Sequence, residues 1–223
     1  GGVLEAGIGD EEKWFTSYRY GMNLGEEKHL RAHIKAFERD DASRPNGLGN
    51  RDGWSAAQAG IRYDQGNPSS GALSVQLNAY EGSEGEELLL PDQSSPNLQN
   101  LFFTKIEYSG INAMLHWQHQ RSERSHYSVK FYADHTERAD SLFDLTVDSY
   151  DLDFQQNYRL DDRQRIVWGL AYRYTKDQLP EQYIRFTREN RQYDVASGIF
   201  QYELKAFDTW RFIAGSKFER NDF

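Results

Sequence analysis

Residues 150–175, YDLDFQQNYRLDDRQRIVWGLAYRYT, repeat with a period of two, and that period dictates extended backbone. Ile166, Trp168, Leu170, Tyr172 and Tyr174 share one phase, while Arg165, Val167, Gly169, Ala171, Arg173 and Thr175 share the other. Upstream, Tyr150, Leu152, Phe154 and Tyr158 fall in phase against Asp151, Asp153, Gln155, Asn157 and Arg159. Gln156 is the one polar residue on the apolar side. Leu160, Asp161, Asp162 and Arg163 supply a short polar turn, so the stretch reads as a hairpin of two long strands.

The same rule recurs along the chain and predicts about eleven strands. Leu4, Ala6 and Ile8 define the first, and residues 14–24, with Trp14, Tyr18, Tyr20, Met22 and Leu24 in phase, the second. In the third, Leu30, Ala32, Ile34 and Ala36 alternate with Arg31, His33, Lys35 and Phe37. Ala57, Ala59, Ile61 and Tyr63 mark the fourth, and Leu73, Val75, Leu77 and Ala79 the fifth. The sixth carries Ile111, Ala113, Leu115 and Trp117, and the seventh Tyr127, Val129, Phe131 and Ala133. After the 150–175 hairpin come a tenth strand ending in Phe200, Tyr202 and Leu204 and an eleventh with Trp210, Phe212, Ala214 and Phe218, separated by Phe207 and Asp208. Connections alternate short and long, the long set being 9–13, 40–53, 81–109, 137–146 and 176–192. Alternation of that kind describes an antiparallel up-and-down meander with one decorated end.

Strands of about 10 residues or more exceed the 5 or 6 usual in globular sheets. One phase is apolar at nearly every position, and Arg31, Lys35, Arg62, Lys130, Arg173, Arg211 and Lys217 all lie on the other. In a closed soluble barrel the apolar phase would point inward, and eleven such strands enclose more space than their many alanines fill. Turned outward against lipid, small and large apolar residues are equally acceptable, whereas Arg or Lys near the bilayer midplane would cost about 2–4 kcal/mol each. Trp14, Trp54, Tyr63, Trp117, Tyr158 and Trp210, near strand ends, suit aromatic girdles.

Composition excludes several classes. The formal net charge of -9, with no clustered Lys/Arg face, argues against nucleic acid. Zero cysteines exclude disulfides, thiolate metal sites and cysteine nucleophiles. Aromatics at 14% argue against disorder. No apolar run approaches the roughly 18 residues of a spanning helix, and the opening GGVLEAGIGD reads as no signal peptide. A strand-built membrane wall remains open, because about 10 alternating residues suffice per strand.

Three stretches carry a family resemblance: GGVLEAGIGDEEKWFTSYRYGMNLGEEKHLRAHIKAFERDD, YDLDFQQNYRLDDRQRIVWGLAYRYTKD, and SGIFQYELKAFDTWRFIAGSKFERNDF with its G-x-K-x-E-x-N-D segment. Together they resemble the barrel of a TonB-dependent outer-membrane receptor. The resemblance implies an all-β fold, localisation in the outer membrane of a Gram-negative bacterium, and uptake of a scarce nutrient such as an iron chelate (siderophore). It also implies a barrel of about 22 strands, so residues 1–223 read as a partial barrel domain, its N-terminal half, without plug domain, energy-coupling box or C-terminal half. Implied partners are the lipid bilayer, a small-molecule ligand such as a metal chelate, and an inner-membrane energy-coupling protein reached through regions absent here. Phe223 resembles the terminal aromatic of such barrels, a match read as accidental.

For ligand capture, the loop TKDQLPEQYIRFTRENRQ offers Tyr183, Arg185, Phe186, Arg188 and Arg191, cations and aromatic faces suited to an anionic chelate. No cofactor, metal site or catalytic residue is expected. His29 and His33 would lie about 13 Å apart in a strand, too far for one ion, and His116, His119, His126 and His135 lack consistent spacing. Asp144, Asp148, Asp151 and Asp153 fail the calcium loop, because Gln156 stands where glycine is needed. Gly47, Gly49 and Gly53 miss the dinucleotide fingerprint by one residue. A passive porin or adhesin barrel is the alternative function, and a soluble β-rich binding module a third. With short turns on the periplasmic side, Ile166, Trp168, Leu170 and Tyr172 would face lipid and Asp153, Gln155, Asn157 and Arg173 the lumen.

Overall fold

The computed structural model describes residues 1–42, 51–67, 71–94, 96–207 and 209–222. Gly47, Gly49, Asp208, Phe223 and the centre of the fourth-to-fifth-strand link, 68–70, lie outside the described residues. Eleven strands follow one another: β1 (Gly2–Gly7), β2 (Trp14–Gly25), β3 (Lys28–Arg39), β4 (Trp54–Asn67), β5 (Gly71–Pro91), β6 (Gln99–Ser122), β7 (Ser125–Ala139), β8 (Leu145–Arg159), β9 (Gln164–Gln178), β10 (Asn190–Phe207) and β11 (Trp210–Asn221). They form one antiparallel sheet in sequence order, with β1 and β11 as its two edges. The expected meander is therefore the fold, with an open sheet.

Antiparallel partners share a face, so the register tests whether the alternation of each strand is in phase with its neighbours. It is. Met22, Leu30, Tyr63, Val75, Leu115, Phe131, Leu152, Tyr172 and Ala196 occupy one continuous row across β2 to β10. One residue along, Gly21, Arg31, Arg62, Gln76, Met114, Tyr132, Asp151, Arg173 and Val195 make the row on the opposite face. The sheet thus has an apolar face and a polar face over its whole width, and the seven cations singled out from the sequence all map to the polar one. Arg220, across from Ala196, is an exception on edge strand β11.

No second layer covers the apolar face. Among the described residues Ile106 is the one buried hydrophobic side chain, at 6% exposure, while Leu152, Leu170 and Tyr172 stand at 49%, 61% and 47%. Gln156, the misfit in the alternation, does lie on the apolar face, and its polar ends are satisfied there. Trp168 Nε1 donates to Gln156 Oε1 at 2.8 Å, and Gln156 Nε2 donates to Ser125 Oγ at 3.0 Å.

Four segments differ from expectation. The first strand stops at Gly7 and leaves Ile8 exposed beyond it. The connections expected at 137–146 and 176–192 shrink to 140–144 and 179–189, because their flanks stay in the ladder. The largest difference is 81–109, expected as a loop. β5 and β6 pair through most of it, from Glu81↔Ser109 to Pro91↔Gln99. β4 pairs as far as Glu84 and β7 as far as Glu107, so the seven pairs from Gly85↔Lys105 onward form a two-stranded ribbon beyond the sheet. At about 3.3 Å per residue it projects about 23 Å.

Candidate functional site

At the long-connection end, contacts run from each connection to the next and make a collar. Between 8–13 and the start of 40–53, Asp40 N donates to Glu11 O at 2.9 Å, and Lys13 Nζ lies 3.2 Å from both Glu38 and Asp40. The amide of Asp41 and the Lys13 ammonium hold the Asp40 carboxyl below the usual carboxylate range, and the two carboxylates push Lys13 up. At the far end of the same connection, Gly85 N donates to Gly53 O at 2.9 Å, and the Arg51 guanidinium lies 4.0 Å from the Phe103 ring centre. A Cβ on Gly85 would sit 2.0 Å from Arg51 O, so the close approach requires glycine.

The base of the ribbon then meets the 140–144 connection. Thr104 and Ser141 hydroxyls hydrogen-bond. Arg138 Nη2 donates to Asp140 Oδ2 at 2.9 Å, and the Asp140 side chain is 2% exposed. Glu86 Oε2 is buried without a hydrogen-bond partner, as is Arg138 Nε. Burial, then the nearby Asp140 charge, pushes the Glu86 carboxyl above its ordinary value.

From 140–144 the collar passes to 179–189. Gln182 Nε2 donates to Asp144 Oδ2 at 2.8 Å, Ile184 N donates to Leu142 O at 2.9 Å, and Phe186 packs edge-to-face on Phe143 at 5.6 Å. These contacts decide the fate of the five residues expected to catch a ligand. Phe186 is half-buried against Phe143, and Arg185 Nε lies 3.6 Å from Glu181. Arg191 falls within β10, opposite Asp177 on the polar face and 6.0 Å from the Tyr193 ring. Tyr183, at 56% exposure, and Arg188 are open to solvent. The loop is thus pinned by Phe186 and presents Tyr183, Arg185 and Arg188, with Arg185 beside Glu181 and Arg191 outside the loop in β10.

Below the collar the polar face carries crossed charges. Arg173 Nε meets Asp151 at 2.8 Å, and Glu203 receives both Arg165 at 2.7 Å and Arg211 at 3.1 Å. Asn78 Nδ2 donates to Asn112 Oδ1 at 2.8 Å, and Gly60 leaves the gap between them and His33, since its Cβ would fall 2.4 Å from Asn78 Oδ1. Such a face is wettable and studded with donors and acceptors for a polar solute. Sequence reasoning missed two contacts on opposite faces of the ribbon base, Arg51 over Phe103 and the group of Glu86, Arg138 and Asp140. The available signal was Arg138 and Asp140, two apart and so on one face, at the end of a strand.

No family model matches the sequence, and no curated protein sequence matches it. Among solved structures, the chain is similar to the siderophore receptor PirA from Pseudomonas aeruginosa, with a TM-score of 0.69 at 9% identity. That match covers 93% of this chain and 34% of the receptor, so the chain spans about a third of that protein's length. Matches to the copper transporter OprC (TM-score 0.48, 11% identity, 96% of this chain and 43% of that one) and to the outer-membrane protein OmpT of Vibrio cholerae (0.42, 8%, 99% and 89%) are too distant to add to the argument. At such identity the likeness to PirA is one of fold alone: an antiparallel meander of long strands matching about a third of that receptor.

Proposed function

We propose that this chain is part of the wall of an outer-membrane transport barrel. The observation that carries the reading is the apolar row running unbroken over β2 to β10 with no protein layer against it. A face of that breadth needs an apolar medium, and every strand-borne cation singled out from the sequence turns away from it. The open edges at β1 and β11 support a further reading, that additional strands of the same polypeptide close the barrel, because an unpaired strand edge is not tolerated in hydrocarbon. Residues 1–223 are then one segment of a larger barrel domain.

Within that class we infer an energy-coupled receptor for an anionic metal chelate, held at the long-connection end by Tyr183, Arg185, Phe186, Arg188 and Arg191. Support comes from the exposed Tyr183 and Arg188 beside a collar that holds the loop in place, from the donor-rich polar face beneath it, and from the wall shared with a receptor whose own ligand is a siderophore. Alanine at Arg185, Arg188 and Arg191 together in the full-length protein is expected to weaken chelate binding about tenfold or more, the worth of one lost hydrogen bond to a charged group. Unchanged affinity overturns the assignment. Uptake that persists after the inner-membrane proton gradient is collapsed identifies a passive pore instead.

A further inference from the structure

On the apolar face, toward the long-connection end of β3 to β7, bulky side chains give way to small ones. Ala57 and Ala59 of β4 pair with Glu81 and Ala79 of β5, leaving a furrow flanked by Ile34 on one side and by Ile111 and His135 on the other. Two adjoining hollows of about 580 and 390 Å3 result, sharing Ala57, Glu81 and Ser109. The register puts the side chains of all these residues on the apolar face.

Polarity changes along the furrow. Its end nearer the short turns has an apolar row, Ile34, Ala59, Ala79 and Ile111. The end nearer the collar has Glu81, Ser83, Glu107 and Glu137. Of the basic side chains on this face, His135 Nδ1 lies 2.7 Å from Asp148 and its Nε2 3.2 Å from Glu137, Lys13 is held by Glu38 and Asp40, and Lys105 stands two residues before Glu107 without an ion pair among the described residues. Among the described residues, Glu81 and Glu107 have no ion pair.

We propose that this furrow is a binding site for one amphiphile, with an acyl chain laid over Ala57, Ala59 and Ala79 and an amine-bearing headgroup held by Glu81 and Glu107. The inference rests on the reading of the apolar face as lipid-facing, with which the furrow is continuous. Inside a bilayer, chain burial against alanine is no driving force by itself, since lipid tails are equally apolar. Selectivity therefore comes from the headgroup, where two carboxylates without an ion pair among the described residues favour a cation that can donate hydrogen bonds.

The test uses the full-length protein in bilayer discs containing equal phosphatidylethanolamine, phosphatidylcholine and phosphatidylglycerol with matched chains, with retained lipid identified by native mass spectrometry. The expected result is one retained phosphatidylethanolamine, favoured about tenfold over the other two, the scale of a hydrogen bond to a charged group. Glu81→Gln with Glu107→Gln should abolish the preference, and Ala57→Phe, which fills the furrow from the lipid side, should evict the lipid while the barrel stays folded. Equal retention of ethanolamine and choline lipids, or retention unchanged in Ala57→Phe, overturns the proposal. Retention of phosphatidylglycerol that requires Mg2+ also overturns it, in favour of a cation-bridged phosphate. A protein that inserts in discs but shows no lipid preference fails this inference alone, whereas one that does not insert fails the barrel reading itself.

Discussion

Gln156 shows how a single polar residue is kept on an apolar face. Its carboxamide accepts from Trp168 and donates to Ser125, so neither end is left to the surrounding medium. Trp168→Phe should strip the donor from Gln156 Oε1 and cost about 1–3 kcal/mol, read as a lowered urea midpoint for unfolding from vesicles. Adding Gln156→Leu to that variant should recover part of the loss, because both partners are then apolar. Neighbouring positions differ by face rather than by residue type. Leu152→Arg should cost about 2–4 kcal/mol in the same assay, and Gln155→Arg, three rows along on the polar face, close to nothing. Equal costs at 152 and 155 would contradict the assignment of faces. Glu86 poses the opposite problem, a carboxylate oxygen buried without a donor. Its raised value means that the folded collar disfavours the charged form relative to the unfolded chain, so docking of the ribbon base should tighten as the pH falls through that raised value and carry a burden above it. Glu86→Gln should raise protection of the ribbon-base amides at neutral pH by about 1 kcal/mol and remove that part of the pH dependence, both measured by hydrogen exchange.

At the scale of elements, the β5–β6 ribbon and the connections beside it behave as one unit. Gly85→Ala should push the backbone of Arg51 away, break the Gly85–Gly53 bond and free the 40–53 connection for limited proteolysis, leaving the sheet's melting behaviour nearly unchanged. Asp40 and Lys13 hold the other end of that connection. Because the folded Asp40 value is depressed, its contribution is present above the ordinary aspartate range and is lost as the pH falls through the lower folded value. The ribbon also explains what could be read from the chain in advance. Alternation is legible wherever the two faces meet different media, as at Leu152 and Asp153. Beyond the collar contacts at Glu86, Phe103 and Thr104 the ribbon has no second layer on either face among the described residues, so nothing enforces a period of two. Leu88, Leu89 and Leu90 run consecutively, and the stretch reads as loop although its backbone is paired. The exposed character of the 179–189 connection was legible by residue type, since Tyr183 and Arg188 are open to solvent where a loop was expected. The anchoring of Phe186 on Phe143 was not, because it depends on a contact between two connections far apart in sequence.

For the whole molecule, the proposed function requires one division across β2 to β10: an apolar face turned to lipid and a charged face turned to water. Residues 1–223 contain no cysteine, so this segment contributes no background label of its own. The direct measurement is a nitroxide scan of residues 150–158 and 166–174 in the full-length protein reconstituted in bilayers, with relaxation enhancement by oxygen and by a water-soluble nickel chelate at each position. Labels at Leu152, Phe154, Leu170 and Tyr172 should respond to oxygen, and labels at Asp153, Gln155, Asn157 and Ala171 to nickel, with the two profiles opposite in phase at a period of two. Nickel accessibility at Leu152 and Tyr172 equal to that at Asp153 and Ala171 would contradict it.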